Sequence, residues 1–288
     1  MRGIGALYVV ATPIGNLQDI TLRAVETLKA ADAIAAEDTR VTRQLLGHLG
    51  IATRPFALHE HNEADAADRV IELLRAGKSV ALVSDAGTPA VSDPGAILVR
   101  RVRQAGCPVV PVPGPSAAIA AISVAGMRGP FLCHGFLASQ PAARRRELEG
   151  LRRLPCTLVF YEAPHRVRET VDDLAAILGD EREVVIAREL TKLFESIYVC
   201  ALADAGAWLD ADRDRLRGEF VLVVEAARPV ADAQAVEDER VLKALLAALP
   251  LKHAVMLAGE ITGAKRNALY ARALKLQALT AQAARHDE

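Results

Sequence analysis

The chain has 288 residues, 51% of them hydrophobic, and 35 Lys and Arg offset 36 Asp and Glu for a formal net charge of −1. That length suits about two domains, each able to bury a core. The charge balance excludes a globally basic nucleic-acid binder, so any RNA or DNA contact must come from local patches.

Four cysteines (Cys107, Cys133, Cys156 and Cys200) are widely spaced and form no Cys-x-x-Cys pair. This argues against a zinc or disulfide framework and suits a reducing cytoplasm. The amino-terminal MRGIGALYVVATPIGN reads as a first strand rather than a signal peptide. The longest apolar run, Ala117 to Ala125, is interrupted by Ser123 and is far too short for a membrane span. A soluble cytoplasmic protein with no membrane partner is expected.

Leu7 to Ala11 is apolar on both faces, as in a buried parallel strand. The loop Thr12 to Asn16 follows, and Asp19 is expected to cap a helix carrying Leu22, Val25 and Leu28. Ala33 to Ala36 is a second short strand that runs into Glu37-Asp38-Thr39-Arg40, chargeable groups where a cleft would lie. Phe56 to His59 is a weak strand leading to His59, Glu60, His61 and Asn62. His-x-His beside acids can signal a metal, but no third ligand has suitable spacing and Asn62 serves better as a helix cap; no metal is expected. The next helix bears Val70, Leu73 and Leu74 and ends at Gly77.

Residues 79 to 95, SVALVSDAGTPAVSDPG, run from strand to small-residue loop to helix, with Asp93 as the expected cap and Pro94 in the first helical position. Such a loop lies at the carboxyl end of a strand, where open parallel sheets bind ligands. The helix reaches Gln104, Gly106 closes it, and Val109 to Val112 forms another strand. Strand–helix repeats with short loops imply right-handed crossovers and a mostly parallel sheet. Pro111, Pro113, Gly114 and Pro115 punctuate a hinge before a helix that begins at Ser116.

In the second half Phe131 to Phe136 reads as a strand, and Pro141 opens a helix extending to residue 154. Leu148, Leu151 and Leu154 share one side of it. Arg145, Arg146, Arg152 and Arg153 share the other, diluted only by Glu149, and such a patch suits phosphate. Cys156 to Tyr161 is a strand that empties into Glu162-Ala163-Pro164-His165-Arg166, followed by a helix with Val167, Val171 and Leu174. Glu183 to Ala187, Ile197 to Cys200 and Phe220 to Val224 complete a sheet with antiparallel members, and Pro229 ends it. Two tail helices, Leu251 to Thr262 and Ala264 to Leu276, meet at Thr262-Gly263. Gly259, Gly263 and Leu269, with Ala258 alongside, have helix-turn-helix spacing. The expected division is residues 1–113, 114–228 and 229–288.

The strand-end loops ATPIGN, AEDTR, SDAGTPAVSDPG, VPGPSA, FYEAPHR and RELTK, with AGEITGAKRNALY in the tail, together resemble the ribosomal RNA small subunit methyltransferase I family. That resemblance implies an α/β, two-domain tetrapyrrole-methylase-like fold with a small helical carboxyl-terminal segment. It implies S-adenosylmethionine bound between the domains, usually in a homodimer. It also implies methyl transfer to the ribose 2′-hydroxyl of a cytidine in the decoding region of 16S ribosomal RNA, as naked RNA or in the small subunit.

Carried over by position, Pro13 matches the first-strand loop. Asp85, Gly87, Thr88 and Val91 match the cofactor loop, Ser116 and Ala117 the hinge, and Tyr161 and Leu190 the second-domain loops. The tetrapyrrole-modifying members of the superfamily carry G-x-G-P-G after the first strand. ATPIGN here disfavours a porphyrinoid substrate.

No motif identifies the general base, and Asp38, Glu162, His165 and Lys192 are its candidates at strand ends. Arg40 and Arg166 are expected as phosphate anchors, because arginine does not give up its proton. Lys265, Arg266 and Arg272, with Lys252 and Lys275, would form a basic outer surface on the tail. Two other readings stay open: a methyltransferase for a tetrapyrrole or other small acceptor, and a non-catalytic RNA-binding assembly factor.

Overall fold

A computed structural model describes residues 4–59, 62–227 and 233–283. Contacts divide the chain into two units, Met1–Ala227 and Arg228–Glu288.

The first unit opens with β1 (Leu7–Val10), α1 (Leu22–Ala30), β2 (Ala33–Ala36), α2 (Thr39–His48) and β3 (Pro55–Ala57). It continues with α3 (Glu63–Arg75), β4 (Val80–Val83), α4 (Ala96–Gln104) and β5 (Val109–Val112). The five strands form one parallel sheet in the order β3-β2-β4-β1-β5. Short Val, Ala and Leu strands suit it because both faces are covered. Leu7, Val80 and Leu82 pack with Val70, Leu74 and Leu98 on one side, and Val10, Ile34 and Val83 pack with Leu28 and Leu46 on the other.

Two helix starts differ from the sequence expectation, and a third keeps its cap residue without the side-chain cap bond. α1 is capped by Thr21, whose hydroxyl accepts from the Ala24 N–H, while Asp19 closes a preceding 3-10 turn. Leu22 is consequently 84% exposed, and Ala24 and Leu28 form the buried face. α4 starts after Gly95 (φ 130°), not at Asp93-Pro94. Its free N–H groups are met by the buried carboxylate of Glu63, which accepts from Gly95 and Leu98 at 3.0 and 2.9 Å. Asn62 stands at the α3 cap, but its side chain turns back to bond the His59 N–H and the Ala57 carbonyl. Glu60 and His61 lie outside the described residues.

The unit continues through α5 (Ala117–Ala125), β6 (Phe131–Phe136), α6 (Pro141–Leu151), β7 (Thr157–Glu162) and α7 (Val167–Leu178). It closes with β8 (Glu183–Arg188), β9 (Ser196–Ala201), α8 (Leu202–Asp210) and β10 (Phe220–Val224). The second sheet has the order β6-β7-β10-β8-β9; β6 runs parallel to β7 and the other neighbours pair antiparallel. α5 covers one face, against Val159, Val185, Val221 and Val223. α6, α7 and α8 cover the other, against Leu158, Phe160, Ile186 and Leu222.

α6 ends at Leu151, earlier than its leucine pattern suggests, because Arg152 and the residues after it leave the helix. Its charged side is also not arginine alone. Arg144 is buried, with Nε 2.6 Å from Asp173, and Arg145 Nε lies 2.7 Å from the other oxygen of the same carboxylate.

The second unit contains α9 (Ala233–Leu246), α10 (Leu251–Thr262) and α11 (Arg266–Ala283). The sequence pattern predicts only two helices there, and Pro229 lies outside the described residues. Leu242, Val255, Ala258, Leu269 and Ala273 form its core. Ala273, not the exposed Ala268, takes the packing position on α11. Gly263 turns the chain between α10 and α11 at φ 72°, a left-handed conformation that costs glycine nothing. Among the described residues, no helix is long and apolar enough to cross a membrane.

Candidate active site

The loops after β1 and β4 are fastened together. The Thr12 N–H donates to Gly87 O at 2.9 Å, the Gly87 N–H donates to Thr12 O at 3.0 Å, and the buried Thr12 hydroxyl donates to Ser84 O at 3.2 Å. Thr88 Oγ1 donates to Pro115 O at 3.2 Å and so ties this floor to the hinge before α5. Opposite it, the ends of β7, β8 and β10 contribute Tyr161, Ala187 and Val221. Between these walls lies a cavity of ≈ 450 Å³, within the size range of small-molecule sites.

Two segments at this cavity store backbone strain. Ala90 and Ser92 both hold φ of 65°, and Val91 between them lines the cavity. Glu189 (φ 52°) and Thr191 (φ 65°) flank Leu190, which also lines it. Side-chain-bearing residues rarely adopt such angles outside sites that need them.

Three carboxylates, Glu37, Asp85 and Asp93, line the cavity. Burial raises all three pKa values above the ordinary carboxylate range, and Asp93, with the charges of Glu37 and Asp85 adding to its burial, is pushed up to about 6. The first two are linked: the Asp85 N–H donates to Glu37 Oε2, and Asp85 Oδ1 accepts from the Asp38 N–H at 2.9 Å. A wall of acids in a partly dry cavity favours a cationic ligand. Among the described residues, no group of three or more His, Cys, Asp or Glu is placed to hold a metal.

Asp85, Gly87, Thr88, Val91, Ser116, Ala117, Tyr161 and Leu190 all line the cavity, whereas Ile14 takes the place expected for Pro13. The four candidate bases fare differently. Asp38 caps α2 and grips Arg40, whose hydrogen bonds hold its pKa down to about 2. His165 is exposed and does not line the cavity. Burial pulls the Lys192 pKa down, but ion pairs with Glu219 and Glu189 together outweigh it and raise the net value, so its amine stays protonated.

Glu162 does line the cavity, yet its oxygens are engaged. They accept from the Ala163 N–H, the Arg166 guanidinium and the Thr170 hydroxyl (2.6 Å). Arg166 Nε sits a further 3.1 Å from Oε1, outside hydrogen-bond alignment. A carboxylate so occupied anchors the start of α7.

The expected phosphate anchors divide in the same way. Arg166 is turned inward to Glu162 and the Leu137 carbonyl, while Arg40 stays 85% exposed beside Asp38. Arg146, Arg152 and Arg153 are exposed, Arg152 within reach of Glu149. In the second unit Lys265 and Arg266 are exposed, but Arg272 is half-buried with its charge acting on Glu239. Glu37, Asp93 and Phe136 line the cavity without having been singled out as site residues. The only sequence signal for Asp93 was its place in the strand-end loop, where a helix cap was the simpler reading.

A parallel sheet and a mixed sheet meeting over such a cleft define a class. Residues 6–206 match the family model for tetrapyrrole (corrin/porphyrin) methylases, and residues 232–277 match that of the RsmI C-terminal HTH domain. Solved structures with this fold include uroporphyrin-III-C-methyltransferase from Thermus thermophilus (21% identity, TM-score 0.56, 77% of this chain and 94% of that one). Diphthine synthase is another (16% identity, TM-score 0.58, 77% and 90%). At those identities the likeness establishes the fold alone.

Curated relatives are much nearer. Ribosomal RNA small subunit methyltransferase I of Escherichia coli O157:H7 is 50% identical across 95% of this chain and 96% of its own. That of Xylella fastidiosa (strain Temecula1) is 51% identical across 92% and 98%. The chain belongs to the ribosomal RNA small subunit methyltransferase I family, within the tetrapyrrole methylase fold.

Proposed function

We propose that this chain catalyses S-adenosylmethionine-dependent 2′-O-methylation of a cytidine ribose in 16S ribosomal RNA. The observation that carries the reading is the convergence of the strand-end motifs on one cavity. Their small side chains leave room for a cofactor, and the acidic wall suits its cationic centre. When bound, S-adenosylmethionine supplies an electrophilic methyl group on a sulfonium. Thr88 and Ser116, beside the hinge, help to enclose it.

The remaining demands fall on the protein. A neutral hydroxyl is a weak nucleophile, so positioning supplies the largest share of the rate. Asp93 is the proposed proton acceptor: it lines the cavity, and a pKa of about 6 leaves it mostly ionised at neutral pH yet basic enough to take a proton. The names of the relatives support the RNA substrate. ATPIGN in place of a Gly-rich first loop argues against a porphyrinoid.

We extend the proposal to a cytoplasmic homodimer. Ile119 and Val124 on α5, with Ile197 and Val199 on β9, leave apolar surface exposed. The β9 pair shares the α5 face, because Ile197 and Val199 oppose Ala187 and Val185. Exposed apolar side chains grouped on one face favour association.

Purified protein should transfer labelled methyl to small ribosomal subunits that lack the modification, and the label should map to one cytidine 2′-oxygen. Label entering uroporphyrinogen instead would overturn the RNA reading. Tight binding of RNA and cofactor without turnover would identify a non-catalytic assembly factor.

A further inference from the structure

Phe136 is a large apolar side chain left 56% exposed on the cavity wall, and a β-bulge puts it there. β6 pairs with β7 as Phe131 to Thr157, Leu132 to Leu158 and Cys133 to Val159. The ladder then skips His134, so that Gly135 opposes Phe160 and Phe136 opposes Tyr161. Side chains alternate with a period of two, so a slip of one residue changes the face. In an unbroken ladder Phe136 would share the face of Leu132, whose partner Leu158 belongs to the core beneath α6, α7 and α8. The bulge turns it to the side of Tyr161, with ring centroids 5.5 Å apart at 55°.

Gly135 permits the turn. It holds φ of 84°, and a Cβ there would lie 2.8 Å from the Ser92 hydroxyl of the strained cofactor loop. Bulges beside sites re-aim side chains. Here the outcome is a ring on the cavity side, set against Tyr161 yet still 56% exposed.

We propose that Phe136 is the platform on which the extruded cytosine of the acceptor RNA stacks; this rests on the RNA-methylation reading above. The inner lining includes buried groups from both walls, Gly87, Ala187, Leu190 and Val221. A small cofactor fits inside it, whereas a nucleotide in a polymer arrives from outside and meets the exposed rim first. A base drawn out of its stack needs a replacement π-face, and aromatic side chains provide one. Glu37, Asp85 and Asp93 repel phosphate at this cavity, so the base is the part of the nucleotide that suits the rim.

The test compares Phe136→Leu, which keeps apolar bulk but removes the π-face, with Phe136→Tyr, which keeps the ring. Three quantities are measured: methyl transfer at varied concentrations of unmodified small subunits, calorimetric affinity for S-adenosylmethionine, and sedimentation. Phe136→Leu should lose roughly tenfold or more in kcat/KM, mostly through KM, while Phe136→Tyr stays within about threefold of wild type. Cofactor affinity and oligomeric state should not change in either.

Wild-type kcat/KM in Phe136→Leu overturns the platform. So does a parallel loss of cofactor affinity, which would assign the ring to the cofactor, or a change of oligomeric state, which would make it a subunit contact. Failure of the wild-type protein to methylate RNA, visible before any variant is made, would remove the underlying reading and the platform with it.

Discussion

Asp93 sits half-buried beside Glu37 and Asp85, and its ionised form is disfavoured in the folded protein. A carboxyl whose folded pKa is raised contributes stability that is fully present below its unfolded value near 3.8 and is lost as pH rises through about 6. Asp93→Asn should therefore melt higher than wild type at pH ~7.5, by a few degrees for ~1 kcal/mol. The advantage should shrink as pH falls below about 6. Activity should move the other way: wild-type turnover rises with pH through about 6, and Asp93→Asn loses ~10²–10⁴-fold. Wild-type turnover in Asp93→Asn would remove it as the proton acceptor. The sequence marked Asp93 as a helix cap because Asp-Pro is a common helix start. That role passes to Glu63, 32 residues before Gly95 in the chain, and no local pattern announces a cap delivered from another helix.

At the scale of elements, α6 shows why a helical wheel overstates a charged face. Its leucines and arginines are expected on opposite sides, but Arg145 is held, with Arg144, by Asp173 on α7. A partner on a neighbouring helix is invisible in the helix's own sequence. Leu148, by contrast, was legible as core because burial follows apolar periodicity directly. β6 teaches the same lesson: its limits follow from composition, while its bulge depends on pairing with β7. The RNA-facing test thus belongs on Arg146 and Arg153, which are exposed. Reversing both to Glu should weaken RNA binding and flatten its salt dependence, by about one unit of slope for each phosphate no longer neutralised. Cofactor affinity should stay unchanged. An unaltered salt slope would make these arginines an ordinary solvated surface. Arg144 is unsuitable for this purpose, because reversing it would place a second carboxylate beside a buried one.

At the scale of the whole molecule, the chain forms two compact units. Every cavity-lining residue belongs to Met1–Ala227. Arg228–Glu288 has a core of its own around Leu242, Val255, Ala258, Leu269 and Ala273. The sequence made the parallel sheet and the α10–α11 turn legible, because strand runs, Gly263 and the small residues Ala258 and Gly259 act locally. It did not reveal α9, whose face acquires meaning only when Leu242 meets α10 and α11. Lys252, Lys265, Arg266 and Lys275 are exposed on this unit, a basic group with no part in lining the cavity. A polyanionic substrate far larger than the cavity needs holding elsewhere while one ribose is methylated. A protein ending at residue 228 should therefore keep a cooperative melt and bind S-adenosylmethionine within about twofold of the full chain, since RT ln 2 is only ~0.4 kcal/mol. Its affinity for small subunits should fall about tenfold or more, with a shallower salt dependence. Melting and cofactor titration come first, because aggregation or a broad transition would assign the tail a structural role. A folded truncation that still methylates at the full-length rate would show that the basic helices do not hold RNA.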